Sequence, residues 1–94
     1  MKNYHVYILT NLNKTTLYIG ITNNLKRRLY EHRQESKGFV KIYKTYFLLY
    51  WERFDMPSMA IKREKQLKKW SRKKKESLIN TTNASWRFLN EEVC

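Results

Sequence analysis

Two tyrosines, Tyr7 and Tyr18, stand eleven residues apart, and an arginine and a histidine, Arg28 and His32, follow four apart in a basic stretch. This set suits hydrolysis of a phosphate ester. A phenol hydroxyl can orient or activate water, and a guanidinium can take up charge building on a phosphate. An imidazole can carry the proton. Tyr7 closes the run His5-Val6-Tyr7, and Tyr18 opens Tyr18-Ile19-Gly20.

Local pattern indicates which elements must hold these groups. Residues 4–10 are β-branched and aromatic and predict a strand. Asn11-Leu12-Asn13-Lys14 has turn chemistry, and 15–20 predict the returning strand, so 4–20 is a hairpin. Alternation puts His5, Tyr7 and Leu9 on one face, with Val6 and Ile8 on the other. Thr16, Tyr18 and Gly20 likewise share a face, so a hairpin register sets the two tyrosines side by side. Cross-strand aromatic packing explains such a pair as well as chemistry does. Gly20 marks the exit of the strand, where the backbone needs room or an unusual φ. Thr22 or Asn23 can cap the next helix, whose buried stripe is Leu25 and Leu29. Arg28 and His32 then share one helical edge beside that stripe, while Lys26, Arg27 and Arg33 point to solvent. The helix should fade near Ser36-Lys37-Gly38, and residues 39–43 read as a short helix or an irregular turn.

Residues 46–52 predict a third strand, apolar enough to be central or covered on both faces. Pro57 sits near the first turn of a helix running to about Trp70, with Asp55 as a candidate cap. Ser71 can cap another helix over about 72–80, and one helical turn is expected around Trp86 and Leu89. One antiparallel sheet with helices around it gives an α+β class, as a single domain over 1–94.

Glu64 breaks the pattern of its helix. Ala60, Glu64 and Leu67 fall at i, i+4 and i+7, so a carboxylate occupies an inward position. Its neighbours Lys62, Arg63, Lys65, Lys68, Lys69, Arg72, Lys73, Lys74 and Lys75 are all cations. A carboxylate there is either paired, with Arg28 or Arg63, or a ligand for a hard cation such as Mg²⁺ or Mn²⁺. One carboxylate suffices for such an ion when substrate phosphate oxygens complete its shell. The cationic run is either a solvated helix face or a phosphate-binding surface, and its one-sidedness favours the second. Trp51, Trp70 and Trp86 have faces that can stack on bases, although in so small a domain tryptophan is more often core.

The whole chain carries a net charge of +12, from 20 Lys and Arg against 8 Asp and Glu. That imbalance calls for a polyanionic partner, and nucleic acid fits better than a membrane surface, because no strongly amphipathic basic segment lies outside the expected core. The chain is 41% hydrophobic with two glycines and one proline, a folded rather than disordered composition. No apolar run is long enough to span a bilayer. Met1-Lys2-Asn3-Tyr4 lacks the apolar core of a secretory leader, and a lone Cys94 argues for a reducing compartment, so a cytoplasmic location is expected. Cys94, His5 and His32 do not make a zinc site.

Taken in order, these motifs resemble the GIY-YIG nuclease superfamily. The second motif is intact as Tyr18-Ile19-Gly20. His5-Val6-Tyr7 stands where Gly-Ile-Tyr is usual, with the tyrosine kept. The Arg28 and His32 spacing matches the helix that follows, and residues 60–66 resemble the helix with the metal-binding glutamate. Asn83 falls where a late asparagine is common, here followed by Ala84-Ser85-Trp86. The resemblance covers nearly the whole chain and is nearest to small stand-alone bacterial members, related to the N-terminal catalytic domain of a DNA-repair excinuclease. It implies a three-stranded antiparallel sheet flanked by helices, and Mg²⁺- or Mn²⁺-dependent hydrolysis of DNA phosphodiesters.

Carried over by position, the resemblance implies that Tyr7 orients or deprotonates water and that Tyr18 positions the water or the scissile phosphate. Arg28 stabilises charge on the phosphate and His32 assists proton transfer. Glu64 holds the metal near the leaving oxygen, and Asn83 is a supporting contact. Structure-specific or nonspecific cutting is expected, with branched or damaged DNA as one candidate substrate, since 94 residues leave no room for a separate sequence-reading module, and a protein partner could supply targeting. The rival expectations are a nucleic-acid-binding protein on the same fold with little catalysis, and a basic adaptor for a protein partner.

Overall fold

The computed structural model describes residues 3–34 and 43–93. Its sheet has three strands, β1 (Tyr4–Thr10), β2 (Leu17–Thr22) and β3 (Phe47–Phe54), in the order β2-β1-β3. Both pairings are antiparallel. The helices among the described residues are α1 (Leu25–Gln34), α2 (Pro57–Lys69), α3 (Arg72–Thr82) and the short α4 (Asn90–Val93). The class is α+β, and no helix is long and apolar enough to cross a membrane.

Strand β1 is the axis of the molecule, because the period-2 alternation divides its side chains between two cores. Val6 and Ile8 join Ile19, Tyr50, Ala60, Leu67 and Ile79 on the face covered by α2 and α3. Tyr7 and Leu9 join Leu25, Leu29, Leu48 and Leu89 on the face covered by α1 and α4. Each fully buried leucine or isoleucine contributes about 1.5–3 kcal/mol relative to exposure, which is how a short chain supports two thin layers.

The third strand is an edge strand, not the central one. Its apolar run has another cause. Between Ile8 and Leu9 the register slips, so that Ile8 faces Tyr50 while Leu9 faces Leu48. Leu49 is the extra residue of this bulge, and it enters the same core as Tyr50. The open edge of β3 is blocked by the C-terminal segment. Asn90 Oδ1 accepts from the Leu48 N–H at 2.8 Å, and the Leu89 N–H donates to the Leu48 carbonyl at 2.8 Å. These bonds satisfy backbone groups that would otherwise invite strand addition.

Several boundaries differ from the sequence expectation. Strand β2 begins at Leu17 rather than residue 15, because Asn11 Oδ1 binds the Thr15 and Thr16 N–H groups and keeps them in the loop. Asn24, not Thr22 or Asn23, caps α1, its Oδ1 accepting from the Arg27 N–H at 3.1 Å. Thr22 Oγ1 in turn accepts from the Asn24 N–H. Asp55 pairs with Arg53 at 2.7 Å instead of capping α2, whose first turn carries only Pro57. Ser71 caps α3 as expected, accepting from the Lys74 N–H. Trp86 has a left-handed φ of 56°, so the last helical turn starts only after Leu89. The expected fading of α1 near residues 36–38, and the turn or helix over 39–42, lie outside the described residues.

Candidate active site

Gly20 and Tyr7 face each other across the hairpin. A Cβ at position 20 would lie 2.4 Å from both Cζ and Oη of Tyr7. The Tyr7 ring therefore lies over the glycine, which is present for room and not for an unusual φ. Beyond it the hydroxyl meets α1, where Tyr7 Oη and His32 Nε2 share a 2.7 Å hydrogen bond. Tyr18 sits diagonally from Tyr7, opposite Leu9, and its ring meets His32 edge-on with centroids 5.5 Å apart. Tyr7, Tyr18 and His32 thus form one cluster between sheet and helix. Tyr7 is 1% exposed and His32 is fully buried, so the cluster presents Tyr18, partly exposed, to the outside.

Arg28 precedes His32 by one turn of α1 and is partly exposed, with its guanidinium 3.2 Å from Glu31. An exposed ion pair of this kind is worth little and yields readily to a stronger anion. Arg27 also reaches Glu31, at 3.7 Å.

Glu64 lies in the other layer. It stands between Ala60 and Leu67 on α2, which packs on the Val6 and Ile8 face. Its side chain is 15% exposed and pairs within its own helix with Lys68 at 3.3 Å. The expected arginine partners are otherwise engaged: Arg63 forms a fork onto Glu52, Nε to Oε1 and Nη2 to Oε2 at 2.9 Å each. Tyr50 donates to the same carboxylate at 2.5 Å, and burial with that neighbour pushes its phenol far above the ordinary range. Helix α2 packs against β1 and β2, on the sheet face opposite Tyr7.

No group of three or more metal-ligating side chains occurs among the described residues. Glu64 alone fits a hard divalent ion that keeps most of its water and shares phosphate oxygens. The exposed Lys68 that holds it can swing away at small cost, so the donor set and the ion are compatible.

Asn83 is buried, and its amide is used up by the backbone. Nδ2 donates to the Leu49 carbonyl at 3.1 Å and to the Arg87 carbonyl at 2.8 Å, while Oδ1 accepts from the Arg87 N–H at 3.0 Å. Its support is to the loop and the bulge, not to a reacting group.

Among the basic residues, Lys26, Arg27, Arg33, Lys62, Lys65, Lys68, Lys69, Lys73 and Lys74 are exposed. Arg72 is exposed as well and Arg63 is partly buried, and both also hold protein partners. Arg63 serves Glu52, and Arg72 donates to the carbonyls of Lys14 and Thr15 at 2.9 Å each while pairing with Glu76. Trp70 is held between Arg63 and Lys74, with the Lys74 ammonium 4.6 Å from the ring centre. Trp70 and Trp86 pack against the core, but Trp51 is 42% exposed, against the expectation of a core role. Sequence reasoning offered Trp51 a stacking role but favoured a core one. The one available signal was alternation, which puts Trp51 on the face opposite its buried neighbour Tyr50.

Residues 3–77 match the GIY-YIG catalytic domain. The chain is 44% identical over 80 residues to a UPF0213 protein of Syntrophus aciditrophicus, covering 83% of this chain and 90% of that one. It is 38% identical over 78 residues to a UPF0213 protein of Natronomonas pharaonis, covering 82% and 91%. The fold is similar to the solution NMR structure of a UPF0213 protein from Bacillus halodurans, with a TM-score of 0.56, 26% identity and 86% of each chain covered.

Proposed function

The chain belongs to the GIY-YIG family, a family of nuclease domains that act on nucleic acid, and we propose that it is a divalent-metal-dependent endonuclease cutting DNA phosphodiesters. The observation that carries this reading is the Tyr7–His32 hydrogen bond beside Tyr18, with Arg28 one turn away. A phenol whose proton is shared with an imidazole can take a proton from water while passing its own to Nε2. The oxygen of that water then attacks phosphorus, and the bond from phosphorus to the leaving oxygen breaks. Tyr18 orients the water or the scissile phosphate from the exposed side of the cluster. Arg28 releases Glu31 and takes the charge that builds on the phosphate. Glu64 would hold Mg²⁺ or Mn²⁺, and such an ion would stabilise the leaving oxygen when bound.

Exposed lysines on α2 and α3, with Lys26, Arg27 and Arg33 on α1, supply phosphate contacts that do not read sequence. Branched or otherwise distorted DNA is the substrate class in this reading, with any targeting left to a partner. The action is in the cytoplasm. A second reading, a nucleic-acid binder with little catalysis, gains from the burial of Tyr7 and His32 and from the Lys68 pairing of Glu64.

Nicking of supercoiled plasmid and of branched DNA with Mg²⁺, Mn²⁺ or EDTA separates the two. The nuclease reading expects metal-dependent cutting that Glu64→Gln lowers by at least ~10²-fold, with DNA affinity and melting temperature kept. A destabilised Glu64→Gln that still cuts would remove Glu64 from the metal role. No cutting by the wild type on any substrate would leave the binder.

A further inference from the structure

Beside the tyrosine cluster, on the same face of the sheet, lies an open groove of about 420 Å³. Its floor is aromatic. Trp51 pairs with Tyr7 in the β1–β3 ladder and is 42% exposed. The His5 ring meets it edge-on, with centroids 5.7 Å apart and planes at 67°. The exposed part of Trp51 offers a flat aromatic face to a ligand in the groove. His5 stands where the resembled motif has glycine, and it supplies the ring that meets Trp51 here.

The facing wall consists of Asn23, Asn24 and Lys26. The Oδ1 of Asn23 accepts from the Arg27 side chain, and the Oδ1 of Asn24 accepts from the Arg27 N–H. Their amide –NH₂ groups are the ends left to donate to a ligand. The groove's one acid, Glu92, is paired with Arg87 at 2.7 Å. The walls therefore offer donors and a cation around a π face. A carboxylate alone would leave the tryptophan face unused, and an apolar molecule would leave the amides and Lys26 unused. A nucleotide uses all of it: a base for the ring, and base-edge or phosphate oxygens for the amides and Lys26.

We propose that this groove takes an unpaired nucleobase of single-stranded or branched nucleic acid, stacked on Trp51 and held at its rim by Lys26 and the two asparagine amides. The inference rests on the nucleic-acid reading of the cluster on the same sheet face and specifies it, since a site for an unpaired base favours distorted over regular duplex DNA. His5 is a positioning residue here: its ring fixes the plane of Trp51.

Oligothymidylate and a duplex of equal length are titrated in EDTA, with tryptophan fluorescence and anisotropy as readouts. The wild type is expected to show quenching on binding the single strand. Trp51→Ala should lose roughly tenfold in single-strand affinity and change duplex affinity far less, while Trp51→Phe keeps most of the affinity but loses the Trp51 share of the quench. His5→Gly should weaken single-strand binding in the same direction. Unchanged single-strand affinity in Trp51→Ala, or an equal loss for both ligands, overturns the proposal. Because these titrations contain no metal, they are independent of the nicking assay. Cutting by a protein whose Trp51→Ala variant binds normally sinks the groove alone, and stacking by a protein that never cuts sinks the nuclease reading alone.

Discussion

The phenolic oxygen of Tyr7, on the central strand, lies 2.7 Å from Nε2 of His32, on the helix above it. The two residues are 25 positions apart in the chain. Their contact depends on a third residue, because the Tyr7 ring reaches His32 only by passing over Gly20.

Gly20→Ala should therefore disturb the pair without replacing either member. The new methyl would meet a ring end that is buried and hydrogen-bonded, so the ring cannot simply rotate away. Overpacking of this kind costs about 1–3 kcal/mol. Thermal unfolding should register the loss, and any cutting activity should fall along with it. An alanine variant with wild-type stability and activity would show that the close approach is not required.

Asn83→Ala should destabilise the fold through three lost hydrogen bonds, to the carbonyls of Leu49 and Arg87 and the N–H of Arg87. Leaving a buried backbone group unsatisfied costs about 1–3 kcal/mol. Urea unfolding measures the loss. A direct catalytic role would instead appear as lost cutting at unchanged stability.

Burial lowers the His5 imidazole below its ordinary value, and the nearby Arg53 lowers it further. The unfolded chain thus binds a proton at His5 more readily than the folded one. This contribution to stability is present above the ordinary value of about 6.5 and is lost as the pH falls below it. His5→Phe, which keeps an aromatic ring against Trp51, should reduce the drop in stability between about pH 7.5 and about pH 5. Identical drops in the two proteins would count against it.

Nucleic-acid affinity should fall steeply with salt. Changing Lys62, Lys65 and Lys69 together to glutamine should flatten the log–log slope by about one unit per phosphate contact removed. Arg72→Gln should behave differently. Its guanidinium holds the Lys14 and Thr15 carbonyls, so the melting temperature should drop more than the slope changes. Filter binding across a salt series with parallel melts separates the two effects.

Much of the site was legible because its geometry is local. Alternation along residues 4–10 puts Tyr7 on the face away from Val6, and an i,i+4 spacing puts Arg28 beside His32. The tyrosine and histidine motifs and the three-stranded sheet could be read for that reason, as could the Ser71 cap. Where neighbours offer equal chemistry, locality stops helping. Thr22, Asn23 and Asn24 are all good caps, and only the observed bond to Arg27 selects the last.

The rest required the chain to close on itself. The place of β3 at the edge depends on which strand pairs with which, and the Leu49 bulge made an edge strand look central. A carboxylate such as Glu52 can be claimed by any cation in reach. That Arg63 takes it is decided by how α2 packs on β3, while Glu64 keeps a partner one turn away on its own helix, Lys68. Exposure works the same way: Trp51 and Tyr50 are adjacent, equally aromatic residues, and one is open while the other is buried because α2 and α3 cover only one face of β3. Period and side-chain chemistry are written residue by residue, so the sequence alone determined which groups share a face. Which face is covered, and which charges meet, is decided by packing between distant segments, and only the tertiary structure contains that.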